Sequence, residues 1–167
     1  MINNLKESLK ILESSKEFKT WQKDDQKAFL SNCFAIIENP RVGVVNWEID
    51  YYSPKKDKIT SFLVNKNKIT VKEDQDILRQ KNYNIEELDI SKVKIKLNDA
   101  IKKIKKKYSD ETPEKIIIIL QKLDITNWNI TFITQRFNIL NVKIDSESGK
   151  IISEDLKPVI SFQSKNP

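Results

Sequence analysis

Apolar residues recur along this chain with two different periods. Ile2, Leu5, Leu9 and Leu12 fall at three- and four-residue steps with Lys and Glu between them, which predicts an amphipathic helix. From Phe18 the series Trp21, Ala28, Phe29, Cys33, Ile36 and Ile37 keeps the helical period, and Pro40 after Asn39 supplies a stop. A second helix is therefore expected up to that point. The break near Ser14 and Ser15 either separates two helices or bends a single one. Period two takes over from Val42, where Val45, Trp47, Ile49 and Tyr51 alternate with Asn46, Glu48 and Asp50 as a half-buried strand requires. Ser53 to Asp57 reads as a polar turn, Ile59 to Val64 as a second strand, Asn65-Lys66-Asn67 as a tight connection and Lys68 to Val71 as a third, short strand. Residues 73 to 92 are acidic and irregular, with room for helical turns at Asp76 to Arg79 and Ile85 to Leu88.

The second half repeats the order. Asn98 is a good N-cap and Asp99 suits the positive end of a helix dipole, while Leu97, Ala100, Ile101, Ile104 and Tyr108 form a narrow apolar stripe. Thr112-Pro113 forces an extended chain, so the helix is expected to end near Ser109. Strands are predicted at Lys115 to Leu123, Asn127 to Thr134 and Ile139 to Ile144, with a short return at Lys150 to Ile152. Asp145 to Gly149 is the turn before that return, with Gly149 suited to a positive φ.

Part of this order occurs twice. Trp47 to Tyr52, Ile59 to Val64 and Lys68-Ile69-Thr70 return as Trp128 to Ile133, Ile139 to Ile144 and Lys150-Ile151-Ile152. Trp, Ile and an aromatic recur at the same alternate positions, which predicts a duplicated β-unit. The expected fold is α+β: one compact chain over residues 1–167, made of two tandem helix-plus-antiparallel-sheet units. Residues 1–90 would hold the N-terminal helices and a degenerate first repeat, and residues 91–160 the second.

Composition narrows the chemistry more than it identifies it. With 167 residues, 38% hydrophobic and 32% charged, the chain can bury one ordinary core. It has no histidine, which excludes histidine general bases, Ser-His and Cys-His nucleophile pairs and His-ligated zinc. One cysteine forms neither a thiolate zinc cage nor an internal disulfide, and two glycines make no phosphate loop. No cofactor or metal is expected, and the chain is read as a non-enzyme. An enzyme would need two close carboxylates of unequal environment in a cleft. The longest apolar run, Ile116 to Leu120, is far short of a membrane span, and the first residues carry no signal-peptide pattern, so a cytoplasmic location is expected unless the chain is trimmed at its start.

Charge is unevenly placed. Residues 1–40 carry six basic and six acidic groups, 41–90 nine and nine, and 111–167 seven and seven. The whole excess of +6 lies between Lys92 and Asp110. On a helix, Lys102, Lys103, Lys105, Lys106 and Lys107 cover the face opposite the apolar stripe. With Lys92, Lys94 and Lys96 they make a cationic surface, either a solvated helix face or a docking site for an acidic partner, nucleic acid or anionic lipid. Nucleic-acid sites usually add Arg and stacking aromatics, and only Tyr108 is close by.

The second half resembles the PepSY family, named for peptidase propeptides and related extracytoplasmic proteins. The matching residues are Ala100 in the helix, Ile116 to Leu120, Trp128 to Phe132, and Val142-Lys143-Ile144-Asp145 followed by Gly149-Lys150-Ile151, over about residues 95 to 155. The first copy departs from that pattern, with no separate strand before Trp47, no Gly in the turn, and Asn65 where the Asp would lie. The resemblance implies a cystatin-like module of helix on sheet that acts by binding, with a peptidase-modulating role.

Other candidates have plainer readings. Trp47 and Trp128 either flank a ligand pocket or pack in the core. Asp145 and Glu147 lack the alternating oxygen ligands of an EF-hand and read as a hairpin turn. Cys33 is expected to be a buried, inert thiol. Asn129-Ile130-Thr131 is a glycosylation sequon inside an expected strand. The function expected from all this is binding of a protein or peptide, through the outer sheet face, the lysine helix or an exposed strand edge. The alternative is binding to nucleic acid or anionic lipid through Lys92 to Lys107.

Overall fold

A computed structural model describes residues 4–44, 46–66, 68–77 and 84–162. Ile2 of the expected first helix, Val45 of the expected strand, Asn67 of the connection and Arg79 of the expected helical turn lie outside them. Helix α1 (Leu5–Ser14) begins where the Asn4 side chain accepts the N–H of Lys6 at 3.0 Å, and it buries Leu5, Leu9 and Leu12. Ser15 closes α1 and opens α2 (Lys16–Asp24). Its hydroxyl donates to the Leu12 carbonyl at 2.6 Å and accepts the N–H of Phe18 at 3.1 Å. One serine thus satisfies orphan backbone groups of two helix ends, which settles the break as two helices.

The second helix does not continue to Ile37. It stops at Asp24, and Phe29–Ile37 forms strand β1. Cys33 and Ile37 are spaced by four, a step that satisfies a helical stripe and, being even, one face of a strand as well, while the bulge between Leu30 and Asn32 puts Phe29 on the other face, opposite Tyr52. Because β1 is central, Phe34 and Ile36 on its other face are apolar too, which hides the alternation that marks a half-buried strand. The first half therefore does have a separate strand before the Trp strand.

Strands β2 (Trp47–Ser53), β3 (Lys58–Asn65) and β4 (Lys68–Gln75) complete a first meander. Helix α3 (Leu97–Lys107) precedes a second, β5 (Pro113–Leu123), β6 (Ile125–Thr134), β7 (Asn138–Asp145) and β8 (Ile151–Pro158). The two meanders join through antiparallel pairing of β1 with β5, giving one eight-stranded antiparallel sheet in the order β4-β3-β2-β1-β5-β6-β7-β8. Cys33 faces Leu120 and Ala35 faces Ile118, while Cys33 faces Ile49 on β2 as Ile118 faces Ile130 on β6. The register is therefore two-fold symmetric about the pair Phe34 and Ile119.

The fold is α+β, with helices packed on an open antiparallel sheet. The covered face buries Cys33, Ala35, Ile49, Phe62, Ile118, Leu120, Ile130 and Val142, among others. Over β2 and β3, Phe18 and Trp21 of α2 join Tyr51 and Phe62 in a cluster with ring centroids 5.0 to 5.9 Å apart, mostly tilted or edge-on as aromatic quadrupoles prefer.

Three local expectations are corrected. The N-cap of α3 is Lys96, not Asn98, which lies inside the helix. Ile85 to Leu88 is not helical: Leu88 is buried and its N–H donates to the Leu30 carbonyl at 2.8 Å, pinning the segment to the start of β1, and a short 3₁₀ turn follows only at Ile90–Lys92. The third strand of the first half and the return strand of the second both run longer than expected, to Gln75 and Pro158.

Candidate binding surfaces

The lysine surface is only partly free. Lys102, Lys103, Lys105, Lys106 and Lys107 are all exposed on α3, opposite the buried Ala100, Ile101 and Ile104, while Lys92, Lys94 and Lys96 are exposed on the approach to the helix. Lys94 pairs with Glu147 at 2.6 Å, Lys103 donates to the Gly149 carbonyl, and Lys107 pairs with Glu154 on β8. These three cations fasten α3 and the residues leading into it to the β7–β8 turn and to the edge strand. Lys102, Lys105 and Lys106 make no ion pair among the described residues.

Trp47 and Trp128 lie in the core under the helices, only 1% and 2% exposed, with ring centroids 6.4 Å apart. The Trp128 indole N–H donates to the Ile95 carbonyl at 2.9 Å, which gives its polar atom a partner inside the core. Both residues also border a cavity of about 310 Å³. It opens between the first residues of α1 and α3 and is walled by Leu5, Val93, Ile95 and Leu97. Lys6, Lys94 and Lys96 line it, and no acidic residue does among the described residues.

A third surface escaped the sequence reading. Eight large hydrophobic side chains are exposed among the described residues, and five belong to one region: Ile152 and Leu156 on β8, Ile160 and Phe162 in the turn Val159–Phe162 that follows, and Phe137. Phe137 joins them because its carbonyl accepts the Val159 N–H at 2.8 Å. The sequence signal was present in Leu156, Ile160 and Phe162. A return strand expected to end at Ile152 leaves these residues outside any element.

On the uncovered face, Asp50 lines a cleft of about 610 Å³ together with Glu48, Asn32, Ser61 and Gln121. Burial pushes the Asp50 carboxyl up to about 6, Glu48 adds to that, and hydrogen bonds from Ser61 and Asn32 and the charge of Lys72 pull the other way. One of its oxygens has no hydrogen-bond partner among the described residues. Asp145 instead organises a turn, accepting the N–H groups of Glu147 and Ser148 and the Ser148 hydroxyl, which hold its carboxyl below the usual range. Asn129 and Thr131 of the sequon both accept from the Asn141 amide across the sheet, at 2.7 and 2.8 Å. No described helix is long and apolar enough to cross a membrane.

No protein-family model matches the chain, and no curated protein matches it. Among solved structures it is similar to the crystal structure of "a putative lipoprotein" from Clostridium difficile 630, with a TM-score of 0.56 and 12% identity over 84% of this chain and 90% of that one. At that identity the likeness is one of fold, an antiparallel sheet with N-terminal helices packed on it.

Proposed function

We propose that this chain is a non-enzymatic module that binds an extended segment of a protein or peptide along the edge strand β8. The observation that carries the reading is the gathering of exposed apolar side chains at Ile152, Leu156, Ile160, Phe162 and Phe137, beside a strand with no neighbouring strand on its outer side among the described residues. An added strand would take up the free backbone groups of that edge, and the apolar side chains would supply specificity at alternate positions. Edge strands are usually guarded by free charges. Here Glu154 is paired with Lys107 and Asp155 with Lys157 at 3.1 Å, so the charges of β8 are locally compensated.

The PepSY resemblance of residues 95 to 155 supports a binding role and, more narrowly, modulation of a peptidase. The duplication reading is supported by the two-fold register about Phe34 and Ile119. The description of the Clostridium difficile neighbour supports an extracytoplasmic setting for the module. The test is selection of peptides from a displayed random library, followed by amide hydrogen exchange of the complex. Selected peptides with alternating apolar residues should protect the β8 amides and lose affinity on Asp155→Pro. Peptides that protect other elements, or none selected, would defeat the reading.

The unpaired Lys102, Lys105 and Lys106 favour a second reading, an anionic partner such as nucleic acid or anionic lipid. Binding would then weaken steeply with salt and vanish on replacing those three by Glu.

A further inference from the structure

We propose that the cavity above Trp47 and Trp128 is a binding site for an apolar group that ends in a carboxylate. The argument is independent of the β8 edge. The cavity is bordered by apolar side chains, the two tryptophans among them, and its volume of about 310 Å³ admits a small ligand or one to two side chains. Among the described residues its charged lining is cationic, consisting of Lys6, Lys94 and Lys96. Lys94 is offset by Glu147, but Lys6 and Lys96 have no ion-pair partner among the described residues. Two lysines without an ion-pair partner beside an apolar recess suit a ligand with an anionic end group.

The backbone adds to the same preference. Helix α3 begins at Lys96 with no side-chain cap, so its first N–H groups, those of Leu97 and Asn98 beside the cavity, receive nothing from the cap residue. The first residues of α1 line the same cavity. Uncapped N–H groups and two unpaired ammonium groups match the four lone-pair sites of a carboxylate, and the positive ends of two helix dipoles favour the charge. The apolar part of the ligand would lie against Leu5, Val93 and Leu97, with the tryptophans beneath it. A free acid with a short acyl chain and the C-terminus of a peptide ending in apolar residues present the same chemistry.

The experiment is titration of the full chain with octanoate, octanol and octylamine, followed by NMR. Octanoate should bind one to one and shift the Trp128 indole N–H and the Leu97 and Asn98 amides. Octanol should bind about tenfold more weakly, since helix-end and ion-pair terms together amount to that factor, and octylamine weaker still. Lys6→Glu and Lys96→Glu, both exposed and unpaired, should bring octanoate down to octanol while leaving the melting temperature in place. N-acetyl-Val-Leu with a free carboxylate, compared with its amide, separates the sources: tighter binding than octanoate marks a peptide C-terminus, weaker binding a free acid. Equal binding of octanoate and octanol, shifts confined to other residues, or no binding of octanoate would each overturn the proposal.

Discussion

Phe34 and Ile119 face each other across β1 and β5, and each stands in its own meander where the other stands in the next. The buried pairs on either side, Cys33 with Leu120 and Ala35 with Ile118, tie the two halves into one sheet with a shared core. Ile118→Ala, at a fully buried site, should destabilise the chain by about 2–5 kcal/mol through lost burial and the cavity left behind. Ile117→Ala, half-buried on the uncovered face, should cost clearly less. Urea unfolding followed by both tryptophan fluorescence and far-ultraviolet circular dichroism should give one coincident transition. Two separated transitions would mean that the halves fold on their own.

Asp50 should make stability fall as pH rises from about 4 to about 6. Its carboxyl is pushed up to about 6 by burial, so between the unfolded value and 6 the folded chain holds a proton that the unfolded chain has released. The contribution is fully present below the unfolded value and is lost as pH passes 6. Asp50→Asn should flatten that slope and stabilise the chain at pH 7 by up to about 3 kcal/mol, the energy equivalent of the displacement. Denaturation midpoints at pH 4 and pH 7 for both proteins are the check, and parallel slopes would count against it.

Gly149 holds a φ of +76°, and a Cβ there would lie 3.2 Å from the Ile95 Cδ1. Gly149→Ala should cost about 1–2 kcal/mol from the left-handed backbone and the crowding together. The same change should move the Trp128 indole N–H resonance, since that group bonds to the carbonyl of Ile95. An unchanged resonance would argue that Ile95 yields without disturbing the tryptophan.

Cys33 should be inert in the folded chain. Burial and the nearby Asp50 charge both raise its thiol, so almost no thiolate forms near neutral pH. Ellman's reagent should label it only at the rate of unfolding, and rapid labelling in the absence of denaturant would contradict the buried placement.

Much of the sheet was legible because most of its strands are covered on one face. From Trp47 to Tyr51 and from Trp128 to Phe132, the alternation of apolar and polar residues states which side is buried, and both tryptophans lie where that pattern puts them. The two cases that failed have opposite physical causes. β1 is central, so apolar residues on both its faces erase period two and leave a four-residue spacing that imitates a helix. β8 is an edge, so its residues are nearly all exposed and carry no burial pattern beyond Ile151.

The candidate surfaces divide the same way. The concentration of lysines in residues 92 to 107 is a property of the chain and could be read from it directly. Which of those lysines are free depends on Glu147, Gly149 and Glu154, residues about fifty positions away that only folding brings to them. The cavity over Trp47 and Trp128 joins the starts of α1 and α3, more than ninety residues apart, across the seam of the sheet. Sequence by itself determined the periods, the charge excess and the absence of histidine chemistry, because those need no long-range contact. The joining of β1 to β5, the edge position of β8 and the cationic lining of the cavity were decided by tertiary structure, because each depends on strands and helix ends meeting across the two halves of the chain.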